Sequence, residues 1–115
     1  MVHYCLEAAE ALESEGIFVE VIDLRTLKPL DTDTILESVK KTAKLLIVHE
    51  ANLTCGVGAE VAALVADEAF EYLDGPITRL CGEDIPAMPF AITLEEAYMP
   101  NTVKVSDALR KLAAY

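Results

Sequence analysis

The sequence predicts an α/β fold: a three-layer sandwich around a mostly parallel sheet, on three observations. Apolar residues recur with the 3.6-residue period of helices in some stretches and gather into short β-branched runs in others, and the two patterns alternate along the chain. Leu45-Leu46-Ile47-Val48 is a continuous apolar run, as a strand covered on both faces requires. With 115 residues, 53% of them hydrophobic, and only five Gly and five Pro, the chain is long and apolar enough for one core, so residues 1–115 read as a single domain.

The opening stretch carries Val2, Cys5, Leu6, Ala9 and Leu12 on one side and Glu7, Glu10 and Glu13 on the other, which is an amphipathic helix ended by Gly16. Ile17 to Leu24, rich in β-branched and aromatic residues, reads as the first strand. Lys28-Pro29-Leu30-Asp31 turns the chain, and Asp31 or Thr32 caps a helix with Ile35, Leu36 and Val39 inward and Lys40, Lys41 and Lys44 near its C-terminal end, where cations suit the dipole. The Leu45–Val48 strand stops at His49-Glu50. A polar loop, Asn52 to Gly58, leads to a third helix with Val57, Val61, Leu64, Val65, Ala69 and Leu73 as its apolar set, closed by Asp74-Gly75-Pro76.

Ile77 to Cys81 is the next strand, and the two prolines of Ile85 to Phe90 forbid a regular element there. A short helical turn at Leu94 to Tyr98 ends before Pro100. Asn101 or Thr102 then caps a last helix with Val105, Ala108, Leu109 and Leu112 inward and Lys104, Arg110 and Lys111 outward. Parallel strands need right-handed crossovers, and this order opens on a helix with no strand before it, so the sandwich is expected to lack its first strand.

Nine basic and 20 acidic residues give a net charge of −11, which disfavours phosphate backbones and anionic membrane surfaces. No apolar run is long enough to span a bilayer, and the first residues lack a signal-peptide layout. Cysteines 5, 55 and 81 form neither a disulfide framework nor a CxxC metal pair, which fits a reducing cytoplasm. Between Glu60 and Glu96 stand nine acidic residues and one basic residue, Arg79; such a stretch is either a solvated face or a docking surface for a basic partner.

In parallel sheets ligands and partners meet the loops at the carboxyl ends of strands, here Arg25–Asp31, His49–Gly58 and Gly82–Phe90. His49 and Glu50 are the candidates for acid/base chemistry or an anion site; the alternative is that they anchor their loop by hydrogen bonds. Cys55-Gly56-Val57-Gly58 precedes a helix, whose dipole could hold an anion or activate the thiol, but it lacks the third glycine of a dinucleotide fingerprint. A free-standing anion-binding module therefore stays open as an alternative. His3 lies on the opening helix and is expected at its surface. No Walker-type, His-Glu-x-x-His or Gly-x-Ser-x-Gly motif occurs, so neither metal ligation nor hydrolase chemistry has support.

Val21-Ile22-Asp23-Leu24-Arg25-Thr26-Leu27-Lys28-Pro29-Leu30-Asp31 resembles the C-terminal domain of the β subunits of 2-oxo acid dehydrogenase E1 components. So do Val48-His49-Glu50-Ala51 with Gly56 to Ala62, Arg79 to Gly82, Asp84 to Phe90, and the run from Tyr98 and Pro100 to Lys111. His49-Glu50, Cys81, Leu109-Arg110-Lys111 and Tyr115 look most like the branched-chain (2-oxoisovalerate) members, with pyruvate and acetoin members close behind.

The resemblance implies a transketolase C-terminal-domain fold within a parent enzyme that decarboxylates a branched-chain 2-oxo acid and acylates a lipoyl group on E2. It implies thiamine diphosphate with Mg in that parent, bound outside this chain between the α subunit and an N-terminal domain of β, so that residues 1–115 hold no catalytic residue and are inactive alone. It further implies three partners, the E1 α subunit, a second β subunit and the basic subunit-binding domain of E2, with Arg25, Glu83, Asp84, Glu95 and Glu96 as interface candidates.

Overall fold

The structure, a computed structural model, describes residues 1–115. Five α-helices and two strands follow in the order α1 (Val2–Glu13), α2 (Thr32–Thr42), β1 (Leu46–Asn52), α3 (Val57–Glu68), β2 (Thr78–Gly82), α4 (Ile92–Tyr98) and α5 (Thr102–Ala113). β1 and β2 run parallel, pairing Leu46 with Thr78, Ile47 with Arg79 and Val48 with Leu80, before an irregularity lets Asn52 meet Gly82. The helix α3 supplies the crossover between them.

Two helix layers flank the strands. Ile35, Leu36 and Val39 of α2 interlock with Val61, Val65 and Ala69 beside α3, and Leu45 and Ile47 pack against that cluster. On the other side α5 lies against both strands and pairs with α1. There Leu12, Val105 and Leu112 are fully or almost fully buried. The Arg110 guanidinium grips Glu15 at 2.7 and 2.8 Å and Thr102 Oγ1 donates to Glu7 at 2.6 Å, tying the two helices at both ends.

The caps explain the boundaries. Asp31 accepts the Thr34 N–H at 3.1 Å and Asn101 the Lys104 N–H at 3.0 Å, so each helix begins where an orphan donor finds a side chain. α2 ends on Ala43 in the left-handed region, φ 59°.

Several expectations are corrected. Ile17 to Leu24 forms no strand: exposure alternates, with Ile17, Val19 and Val21 half-buried and Phe18, Glu20 and Ile22 exposed, but no backbone hydrogen bond reaches Phe18 to Asp23. The period of a strand is present and its ladder partner is not. Leu45 to Val48, read as covered on both faces, is only half-buried because β2 is the only neighbour of β1. Leu6 is 50% exposed and Ala8 is buried in its place, with Leu12, on the side of α1 that rests on α5. The third helix stops at Glu68 and continues as a single 3₁₀ turn, Phe70–Tyr72, rather than running to Leu73. Lys104, placed outward from its spacing, folds back so that its ammonium donates to the carbonyls of Ala97 and Met99 at 2.5 and 2.8 Å, closing the C-terminal end of α4. No helix is long and apolar enough to cross a membrane.

Candidate functional site

The loops that leave β1 and β2 meet at one end of the sheet. The Leu53 N–H donates to the Gly82 carbonyl at 2.8 Å, and Arg79 Nη1 donates to the Leu53 carbonyl at 3.0 Å. Thr54 gives its N–H and hydroxyl to the Asp84 carboxylate at 3.3 and 2.5 Å. Two of the three expected loops are thus bound into one platform. The third is not: Arg25, at φ 57° and largely exposed, bonds only its neighbour Asp23, at 2.9 Å.

His49 sits under this platform with both ring nitrogens in use. Nδ1 lies 2.9 Å from the Ala51 carbonyl, which can only accept, so Nδ1 carries the proton. Nε2 therefore offers its lone pair to the Gly58 N–H at 3.1 Å, and the Cys81 thiol lies 3.2 Å away on the same nitrogen. One α3 N-terminal amide is in this way satisfied from inside the protein. A side-chain carbon on Gly58 would stand 2.6 Å from Nε2 and 3.0 Å from Ile47 Cγ2, so glycine is required for the ring to lie there. Burial pushes the Cys81 thiol above its ordinary range, against the opposing pull of Arg79 and His49, which keeps it an S–H donor toward the ring.

Glu50 is exposed and forms no hydrogen bond to His49, so the two do not form an acid/base pair. The geometry of His49 is that of a loop anchor. Cys55, at φ 59°, is exposed on the platform, and His3 is exposed on α1.

Around the platform the surface is apolar and acidic together. Phe90 is fully exposed at 102% and Ile92 at 71%, with Met88 and Leu94 also exposed. Glu83, Asp84, Glu95 and Glu96 are all on the exposed surface of the same stretch, the last two on α4. The acids are marked in the sequence by their charge; Phe90 is not, and stands exposed in the proline-containing stretch that forms no regular element. Tyr98 carries no such mark; its hydroxyl packs so closely against Gly82 that no side chain could be added there.

A cavity of about 290 Å³ between α2, α5 and β1 is lined mostly by apolar side chains, with Glu20, Ser38, Thr42 and Lys44 as its polar members. No three His, Cys, Asp or Glu side chains converge to hold a metal ion.

The family described as transketolase, C-terminal domain, matches residues 1–105. The chain is 51% identical over 114 residues to the pyruvate dehydrogenase E1 component subunit beta of Rickettsia felis and 47% identical over 114 residues to the 2-oxoisovalerate dehydrogenase subunit beta of Bacillus subtilis, covering 99% of this chain and 35% of either relative. It thus spans about a third of the length of these relatives. A solved split-gene transketolase, described as an inactive beta4 tetramer, superposes with a TM-score of 0.79 at 29% identity over 98% of this chain and 36% of that one. Helix-flanked parallel strands, a loop platform at their carboxyl ends and this span of sequence similarity agree: the chain belongs to the transketolase C-terminal-domain family.

Proposed function

We propose that the chain serves as the C-terminal assembly and docking domain of the β subunit of a 2-oxo acid dehydrogenase E1 component. The observation that carries this is near-complete coverage of the chain by β subunits of such enzymes at 47 to 51% identity. In this reading decarboxylation of the 2-oxo acid and acylation of the E2 lipoyl group belong to the assembled cytoplasmic enzyme, with thiamine diphosphate and Mg held by parts outside residues 1–115.

This chain contributes surface. Phe90, Met88 and Ile92 supply apolar area for subunit contacts with E1 α or a second β. Glu83, Asp84, Glu95 and Glu96 supply charge complementary to a small basic E2 module, with Arg25 on a separate loop. Titration calorimetry of the E1 assembly with the E2 subunit-binding domain tests the docking role: association is expected to weaken as salt rises, and its absence at low salt would remove the role.

For the parent's substrate we favour a branched-chain 2-oxo acid, on the resemblance of His49-Glu50, Cys81 and Leu109-Arg110-Lys111 to those members. Pyruvate is the second reading, favoured by the Rickettsia relative at 51%. Turnover of 3-methyl-2-oxobutanoate against pyruvate by the complete α and β subunits separates them.

A further inference from the structure

The helix α4 has little of its own to hold it. Its seven residues are fewer than the roughly 12 at which an isolated helix becomes stable. It starts without a side-chain cap, none of its residues is buried, and Glu96 stands in its last turn, where negative charge opposes the dipole. This same helix carries Glu95 and Glu96 and follows directly on the exposed Phe90 loop.

Two contacts at its C-terminal end compensate. Tyr98, the one half-buried residue of α4, sets its hydroxyl so close to Gly82 that a side-chain carbon on that glycine would strike it. From α5, the Lys104 ammonium donates to the carbonyls of Ala97 at 2.5 Å, Met99 at 2.8 Å and Glu96 at 3.3 Å, so its donors go to backbone and none to a carboxylate. The charge does not serve α5. Lys104 lies in the first turn of that helix, where a cation opposes the dipole, and its N–H is already satisfied by the Asn101 cap at 3.0 Å. For α4 the same ammonium stands at the favourable end.

We propose that Lys104 is the positioning residue of the acidic face: by capping α4 it holds Glu95 and Glu96 in one arrangement beside the loop platform, so that a basic partner meets a preformed surface. The inference rests on the docking role proposed above and adds the residue that sets its geometry. Its effect has a definite sign. As a charge alone Lys104 repels a basic partner, and Lys104→Met would tighten binding. As a cap, its removal loosens α4, the partner must then order the helix on binding, and Lys104→Met weakens binding.

The test compares the assembly of complete α and β subunits unaltered, with Lys104→Met, with Lys104→Arg, and with Glu95→Gln and Glu96→Gln together. Hydrogen exchange is read at Leu94, Glu95 and Met99, whose amides donate to carbonyls of Ala91 and Glu95, while α3 amides report that the fold is intact. Affinity for the E2 subunit-binding domain is read by calorimetry at low salt. Lys104→Met is expected to speed exchange at the α4 amides by about tenfold, as loss of a hydrogen bond from a charged group allows. It is expected to leave α3 unchanged and to weaken E2 binding by about threefold or more. Lys104→Arg keeps the charge and the donors and recovers most of both. Unchanged α4 exchange in Lys104→Met overturns the proposal, as does binding that holds or tightens in that variant while the Gln pair weakens it. Failure of the docking role shows differently: the Gln pair then binds E2 like the unaltered assembly, and α4 exchange alone decides whether Lys104 holds the helix.

Discussion

His49 carries more of the local architecture than its position at a strand end announces. With Nδ1–H on the Ala51 carbonyl and Nε2 accepting from Gly58, it joins the end of β1 to the start of α3. Replacing it with Ala leaves the amide of the buried Gly58 without an acceptor, so His49→Ala is expected to lower stability by about 1–3 kcal/mol, read from urea midpoints. Gly58→Ala attacks the same contact from the other side. The added methyl must displace the ring or Ile47, and the loss expected from such overpacking is about 1–3 kcal/mol. If the two changes act through one contact, their combination falls short of the sum, as a double-mutant cycle will read. The histidine and the two nearby glycines stand out in the sequence. That ring and glycine touch is set by the register of β1 against α3, nine residues apart, which a linear pattern does not display.

Two carboxylates hold elements to one another and a third caps a helix. Arg110 beside Glu15 joins α1 to α5, Lys41 and Ser38 beside Glu20 tether the unpaired Ile17–Leu24 stretch to α2, and Asp31 caps α2 through Thr34. Each partner holds its carboxyl below the ordinary range. Carboxyls that are more acidic in the folded chain than in the unfolded one contribute stability above the ordinary carboxylate pKa, about 4, and lose it as pH falls toward the lowered folded values.

Melting midpoints are therefore expected to hold from neutrality down to about pH 5 and then to fall on further acidification. The combined change Glu15→Gln, Glu20→Gln should make that acid limb shallower, which a melting series with and without the substitutions will read. Packing between elements rests on fewer residues. Leu12 is completely buried where α1 meets α5, and Leu12→Ala is expected to cost about 2–5 kcal/mol, measured by denaturant unfolding. The helices α2 and α5 were legible because their caps and apolar stripes are local. The strand at Ile17–Leu24 was legible as a pattern only, because a strand exists through its neighbour.

The chain taken entire carries an acidic excess of 11 charges, and part of it is gathered beside the exposed Phe90 loop. Neutralising Glu95 and Glu96 together to Gln is expected to weaken binding of a basic E2 module at low salt and to make little difference at high salt. The reason is that exposed charges are screened beyond a Debye length of about 8 Å at physiological ionic strength. Calorimetric titrations at two salt concentrations will show whether the difference narrows.

The sequence by itself determined the α/β class, the starts of α2 and α5 to within one residue, and the resemblance to a β-subunit family, since each rests on periodicity, local hydrogen bonding or ordered motifs carried in consecutive residues. Only the tertiary structure decided that His49 anchors a loop without Glu50, that the His49 and Gly82 loops form one platform with Arg25 apart from it, and that Ile17–Leu24 faces β1 across an apolar slot. Those outcomes depend on which groups meet across the fold, and hydrogen bonding and burial between distant residues are properties of the folded pair, which neither residue's own neighbourhood in the chain contains.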